Sequence, residues 1–273
     1  MVTFPNCKIN LGLNILRKRE DGFHDISTLY YPIPFTDALE LIPHPDKNSR
    51  PEFTTSGLVI EGNPEDNLCL MAYHALKQDH PDLPAVKIHL HKSVPIGAGL
   101  GGGSADAAFL LKMLVEKFNL TVSPEKLHQH AIRLGSDCPF FLVNQPCLAS
   151  GRGEILEEIT TDLSPYKIIL VNPGIHINTA WAFSQIEPGI PETGIREIIS
   201  QPVESWKDTL KNDFEGAVFK EFPEIKYIRE ELYKQGAVYA VMSGSGSTVF
   251  GIFDKNSSPS LFAGKNYFIK IIG

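Results

Sequence analysis

The chain has 273 residues, of which 42% are hydrophobic and 21% charged; this is the profile of a soluble globular protein, built as one large domain or two modest ones. Its formal net charge of -7 argues against nucleic acid as a partner, because proteins that bind it present a basic face. No apolar run approaches the roughly 18 residues of a membrane span and no signal-peptide pattern opens the chain, so a cytoplasmic protein with no membrane partner is expected.

In chain order, residues 7–16 alternate apolar Ile9, Leu11, Leu13 and Ile15 with polar or small residues, which predicts a strand. The basic cluster 16–20, LRKRE, reads as a solvated surface turn. Asp21 and Gly22 signal a turn, and residues 27–33 and 37–43 are short strand candidates. The period then changes: Leu68, Met71, Ala72, Ala75 and Leu76 share one helical face, with Pro64 and Asp66 as its start. Residues 86–94 alternate again as a strand, on which His89 and His91 share an exposed face. A glycine loop follows, then a helix from about Gly103 to Phe118.

A second helix spans 123–135, with Ser123 as N-cap, Pro124 in the first turn and Gly135 as its stop. Residues 138–144 form a short apolar run, and 147–159 a hairpin. Near residue 155 the texture shifts: an apolar strand at 166–174, a Pro/Gly-rich loop at 187–194, helices at 195–200, 204–219 and 223–235, a strand–glycine loop–strand unit at 237–253, and a last strand at 266–272. The expected class is α+β, in two domains over residues 1–155 and 156–273. Cys7, Cys69, Cys138 and Cys147 are scattered without metal-site spacing and are expected as free thiols.

The stretch 95–108, PIGAGLGGGSADAA, runs its glycines straight into a helix. A helix start offers unpaired N–H groups and the positive end of a dipole, and glycines let the backbone close on an anion. Together they make a phosphate cradle. The Walker loop is excluded, because no lysine follows the glycines. Gly97, Gly99 and Gly102 formally match the dinucleotide fingerprint, but a second helix follows where a parallel strand should.

The loop resembles the ATP loop of the GHMP kinases, P-x-G-x-G-L-G-[GS]-S-[SA], through Pro95, Gly97, Gly99, Leu100, Gly101 and Ser104, with one extra glycine before the serine. A second run, MSGSGST at 242–248, is similar to the family's C-terminal motif beside the phosphates. The resemblance implies a two-lobed fold, with an N-terminal lobe like ribosomal protein S5 and a ferredoxin-like C-terminal lobe. It also implies ATP and Mg²⁺ as cofactors, a small-molecule alcohol as acceptor, and a monomer or weak homodimer. CKINLGLNI, DGFHDISTLY, PEDNL, GSDCPFF and GRGE narrow it to the branch whose acceptor is a CDP-linked branched sugar alcohol. Homoserine- or mevalonate-type kinases, and a non-catalytic nucleotide sensor, are the alternatives.

The resemblance assigns roles residue by residue. Asp137 would be the base for the acceptor hydroxyl, and Lys8 the ammonium that keeps it ionised and draws in the acceptor oxygen; a turn aspartate and an exposed strand lysine are the plain readings. Asn10, two residues on from Lys8 and on the same strand face, would bond the acceptor. Phe23 and His24 would hold the cytosine by its face and edge, with Phe183, shared with Trp181, closing over it. Phenylalanine at 23 stands where the resemblance has tyrosine, which removes a hydroxyl. ATP would be held by Pro95, Ile96, Gly97, Ala98, Gly99, Leu100, Gly101, Gly102, Gly103, Ser104 and Ala105, with Asn67, Leu68 and Lys92 on the adenine side. Gly244 and Ser245 fall to the substrate. Ser104 matches a metal-binding serine of some relatives; the other metal ligands are unassigned.

Overall fold

The computed structural model describes residues 1–260 and 262–273. Its contacts cluster into two compact units between which the chain alternates. One holds Met1–Cys7, Pro34–Ile96 and Gly101–Asn144; the other holds Lys8–Ile33, Gly97–Leu100 and Gln145–Gly273.

The first unit sets a four-stranded sheet beside four helices. β1 (Val2–Thr3) pairs antiparallel with β4 (Ala38–Pro43), and β4 with β6 (Val86–Lys92); β5 (Glu52–Gly57) runs parallel to β6. Strand period two explains the pleat of β6: Val86, Ile88, Leu90 and Lys92 point inward while His91 faces solvent. Strand β5 has no apolar alternation and is not legible in the sequence. The helix expected from Pro64 begins later. Pro64–Asp66 form one 3₁₀ turn, and α1 (Leu68–Asp79) starts after Asn67, whose Oδ1 accepts the Cys69 N–H at 2.9 Å. Asn67 offers both a cap oxygen and a non-helical backbone, so it takes the start from Pro64. Helix α2 (Gly102–Lys117) packs on α1, and α3 (Pro124–Leu134) on both. Ser123 caps α3 as expected, its hydroxyl accepting from Lys126 N. The apolar run at 138–144 is a helix, α4 (Cys138–Val143), buried against α2.

The second unit contains two sheets. In one the order is β2 (Asn6–Lys18), β3 (His24–Thr36), β7 (Cys147–Ser150), β8 (Ile155–Glu158), the last two being the expected hairpin. The basic stretch 16–20 is therefore largely strand end, its arginines paired across the turn with Asp21 and Asp25. The other sheet is fully antiparallel, ordered β10 (Tyr239–Met242), β11 (Val249–Asp254), β9 (Tyr166–Asn172), β12 (Phe268–Ile272). Its two central strands carry unbroken buried apolar runs, 168–171 in β9 and 249–253 in β11, because both faces are covered. Helices α5 (Thr179–Ser184), α6 (Ile195–Ile199), α7 (Glu215–Glu221) and α8 (Pro223–Lys234) complete the unit. Ile169, Val171, Phe214, Val218, Ile225, Ile228, Val249 and Phe253 lie at its core.

The single helix expected over 204–219 is a correction. Val203–Asp208 form a 3₁₀ segment, the chain then opens, and α7 begins at Glu215. Asn212 and Asp213 cause the break. The Asn212 amide donates to Met242 O at 2.7 Å and Gly244 O at 2.8 Å, its Oδ1 accepts from Phe214 N, and Asp213 Oδ2 accepts from Ile15 N. Short polar side chains that bond backbone elsewhere compete with the helix ladder.

Candidate active site

The glycine loop is shaped by its backbone. Gly97, Gly99 and Gly101 hold φ of +61°, +77° and +68°, the left-handed region that side chains disfavour. At Gly99 a Cβ would lie 2.0 Å from Ser243 O. That contact joins the two glycine runs: Ser243 Oγ donates to Gly99 O at 2.8 Å, and Thr248 N to Ala98 O at 3.2 Å. Asn172 fixes the far side, donating to the hydroxyls of Ser247 and Thr248. Ser245 Oγ lies 3.2 Å from Thr179 Oγ1 on α5.

Helix α2 opens on Gly101 with no side-chain cap. Its first-turn amides, Gly102, Gly103 and Ser104, therefore lack side-chain acceptors. Gly102 is buried, and a Cβ there would crowd Lys92 Nζ and Val94. Gly103 is exposed, with Leu68 Cδ1 3.9 Å from where its Cβ would be. An open turn of unpaired N–H groups at a dipole's positive end fits a polyphosphate. Mg²⁺ fits the same place: Ser104 offers a partly exposed hydroxyl, and Mg²⁺ takes most of its ligands from phosphate and water. Among the described residues no group of three or more His, Cys, Asp or Glu forms a metal cage.

Lys92 is 3% exposed. Its Nζ donates to Asp37 Oδ2 at 2.5 Å and to Asp106 Oδ2 at 2.7 Å, and Asp37 Oδ1 accepts the N–H groups of Ser93 and Val94. Burial pushes the Asp106 carboxyl up to about 7 despite the ammonium beside it, and its Oδ1 has no hydrogen-bond partner. Lys92, expected on the adenine side, thus tethers β6 to α2 and to the start of β4. Asn67 and Leu68 occupy the N-terminus of α1, where the cap uses the Asn67 oxygen and not its amide N–H groups.

Lys8 and Asn10 do share one strand face, and both are buried. Lys8 is 3% exposed, which rules out the solvated strand lysine. Its Nζ donates to Asn10 Oδ1 at 2.6 Å and lies 4.8 Å from the centre of the Tyr30 ring. Asn10 Nδ2 donates to Thr28 Oγ1 at 3.0 Å, Thr28 donates to Gly12 O at 2.6 Å, and Asn10 N donates to Ser243 Oγ at 3.2 Å. The relay fixes Asn10 so that its oxygen faces the ammonium. Asp137 belongs to the first unit, half-buried in the turn between Gly135 and α4. It stands at the N-cap of α4 in right-handed conformation and makes no side-chain cap bond, so it is not a helix-capping aspartate.

The aromatic residues fall into two groups. The His24 ring stacks on Phe183 at 4.8 Å and 15°, and Phe183 meets Phe214 edge-on at 4.9 Å. Burial, helped by Lys18, holds the His24 imidazole below its usual range, so it is neutral near pH 7, with one donor and one acceptor nitrogen. Trp181 sits on the same helix, which Asn178 caps, and meets Phe222 edge-on at 5.7 Å; like Phe183 it is half-buried against the core. Phe23 is 51% exposed and lies under Arg152, whose guanidinium carbon is 4.2 Å from the ring centre. Sequence reasoning missed Asp37, Asp106, Thr28, Asn212 and Arg152. Thr28, Asp106 and Arg152 stand inside the motifs that carry the resemblance; Asp37 and Asn212 carry no local signal.

The chain matches the family models described as GHMP kinases N terminal domain, over residues 67–145, and GHMP kinases C terminal, over residues 195–265. It is 52% identical to the 4-diphosphocytidyl-2-C-methyl-D-erythritol kinase of Bacteroides fragilis (strain YCH46), covering 93% of this chain and 92% of that one. It is 47% identical to the protein of the same name from Bacteroides thetaiotaomicron, covering 98% of each. A crystal structure of 4-(cytidine 5'-diphospho)-2C-methyl-D-erythritol kinase superposes with a TM-score of 0.83 at 29% identity, over 100% of this chain and 99% of the other.

Proposed function

The chain belongs to the GHMP kinase family, and on that premise we propose that it is an ATP-dependent kinase acting on 4-diphosphocytidyl-2-C-methyl-D-erythritol. It phosphorylates the 2-hydroxyl and releases ADP, in the non-mevalonate route to isoprenoid precursors. The observation that carries this reading is the 52% identity to a kinase of that name over 93% of the chain. The aromatic surroundings of His24 support it, because an acceptor without a nucleobase has no use for them.

In the reaction the acceptor oxygen attacks the γ-phosphorus, the bond from that phosphorus to the β,γ-bridging oxygen breaks, and the hydroxyl proton leaves to a base. We assign Asp137 as that base and Lys8 as the ammonium that stabilises the acceptor oxygen as it sheds its proton. Asn10, held by Thr28, orients Lys8. Amides of residues 97–104 take the phosphates at the start of α2, with Asn67 and Leu68 toward the adenine, while Lys92 keeps its buried tie to Asp37 and Asp106. Ser104 would hold Mg²⁺, which when bound offsets charge on the β- and γ-phosphate oxygens. Phe23 and Phe183 supply faces for the cytosine, and neutral His24 supplies a hydrogen bond to its edge; stacking on one aromatic face is worth about 1–3 kcal/mol. Trp181, Gly244 and Ser245 border the acceptor in this reading.

By function we divide the chain into a nucleotide domain, residues 1–155, and a C-terminal domain, 156–273, a division along the sequence that differs from the two contact units, since Lys8–Ile33 and Gly97–Leu100 cluster with the second. A cytoplasmic location accords with four buried cysteines that form no disulfide, and a monomer or weak homodimer goes with this reading. No helix among the described residues is long and apolar enough to cross a membrane. The test is ADP release across a panel of alcohols. Turnover is expected with the CDP-linked sugar alcohol and not with homoserine or mevalonate, and CMP competes with the acceptor. Turnover indifferent to CMP would overturn the reading.

A further inference from the structure

We propose that Arg152, at the tip of the β7–β8 hairpin, is a positioning residue for the nucleobase: its guanidinium backs one face of Phe23 and holds the ring for stacking on the other. This rests on Phe23, His24 and Phe183 being the base site. Phe23 follows a tight turn, in which Arg19 N donates to Phe23 O at 2.8 Å and Phe23 N to Asp21 Oδ1 at 3.1 Å. Its main chain is thereby fixed, but its side chain is half in solvent and has no polar atom to anchor it. An exposed ring free to change rotamer must be ordered when a base binds, which weakens binding. A guanidinium is planar and stacks on an aromatic face, so the plane over Phe23 removes that freedom beforehand.

Arg152 is itself held firmly enough to do this. Its main-chain N–H donates to Glu154 Oε2 at 2.6 Å, and the preceding Gly151 O accepts the Ile26 N–H at 2.7 Å, which docks the hairpin tip on β3. Gly153, at φ +113°, could not carry a side chain, since its Cβ would lie 2.3 Å from the Tyr30 hydroxyl oxygen. The Arg152 Nε is buried without a hydrogen-bond partner. The nearby acid that senses Arg152, Asp21, is held low first by its bonds from Arg19, with Arg152 a lesser Coulombic contributor. A guanidinium that leaves a buried donor unpaired yet sits with its carbon 4.2 Å over the ring centre is placed for the face contact.

The experiment measures the KM of the CDP-linked acceptor and the inhibition constant of CMP for wild type, Arg152→Met, Arg152→Lys, Phe23→Ala and Phe23→Ala/Arg152→Met. Arg152→Met keeps the apolar stem and is expected to raise both constants about fivefold, with kcat and the KM for ATP unchanged. Arg152→Lys keeps the charge without the plane and falls between. In the Phe23→Ala background Arg152→Met changes nothing further, because its effect passes through that ring. CMP inhibition unmoved by either Arg152 substitution overturns the inference, as does an equal loss in the Phe23→Ala background. Should Arg152→Met not fold, Arg152→Lys carries the same comparison. Wild type that turns over the acceptor with no response to CMP removes the base site itself, and the inference with it; a positive CMP control separates that failure from a failure of Arg152.

Discussion

Asp137 and Lys8 are assigned opposite electrostatic roles, so replacing each separates charge from shape. Asp137→Asn keeps the size and removes the proton acceptor. It is expected to lower kcat by about 10²–10⁴ while the ATP dissociation constant stays within about twofold; full activity in steady-state assays would end Asp137's role as base. Gly99 makes a structural demand of comparable sharpness. An alanine there must adopt positive φ and place its methyl against Ser243 O. Gly99→Ala should cost about 2 kcal/mol or more in chemical denaturation and raise the KM for ATP, whereas Gly103→Ala, in open space, should unfold at nearly the wild-type midpoint. Motif residues such as Gly99, Lys8 and His24 are legible in sequence because their neighbours in the chain define the pattern. Their supports are not. Asn10 meets Ser243 across 233 residues, and Asn212 bonds a loop 32 positions away, so no local pattern could reveal either.

At the scale of elements, the tie among β4, β6 and α2 is the most informative. Lys92 occupies the next inward position after Val86, Ile88 and Leu90, so the strand's own pleat buries it. A buried ammonium must be paired, and Asp37 and Asp106 do so. Burial leaves the Asp106 carboxyl near 7, above the unfolded value of 3.8. Between about pH 4 and 7 the folded state therefore holds a proton that the unfolded chain releases, and stability from this group falls as pH rises through that window. Asp106→Asn removes the titration and keeps an oxygen for Lys92. Its melting midpoint relative to wild type should climb from pH 4 to about pH 7 and level off above; a constant offset across that range would show that Asp106 does not titrate there. The alternation of β2 and β6 and the Ser123–Pro124 start of α3 are plain in the sequence, since each rests on local period or capping chemistry. The break at Asn212 and the late start of α1 are not, because a polar side chain's choice of distant backbone over its own helix is a tertiary decision.

The molecule as a whole is acidic, with a formal charge of -7, yet in the proposed reaction it must hold two polyanions. Coulomb repulsion at that net charge is offset locally, by helix-start amides at the glycine loop and by metal for the triphosphate. The base site carries no such requirement, because faces and a neutral imidazole recognise a nucleobase without counter-ions. The two ligands should therefore differ in metal dependence. Saturation at about 100 times the dissociation constant adds about 2.7 kcal/mol of stability, and for a chain of this length each kcal/mol moves Tm by about 2–4 °C. ATP with Mg²⁺ is expected to raise Tm by several degrees, and EDTA to abolish most of that shift. CMP should raise Tm by a similar amount with or without EDTA, and Arg152→Met should shrink the CMP shift while leaving the ATP shift intact. A CMP shift that vanishes with EDTA would mean that the cytidine monophosphate binds through metal at the phosphate loop, and the separation of base site from phosphate site would fail.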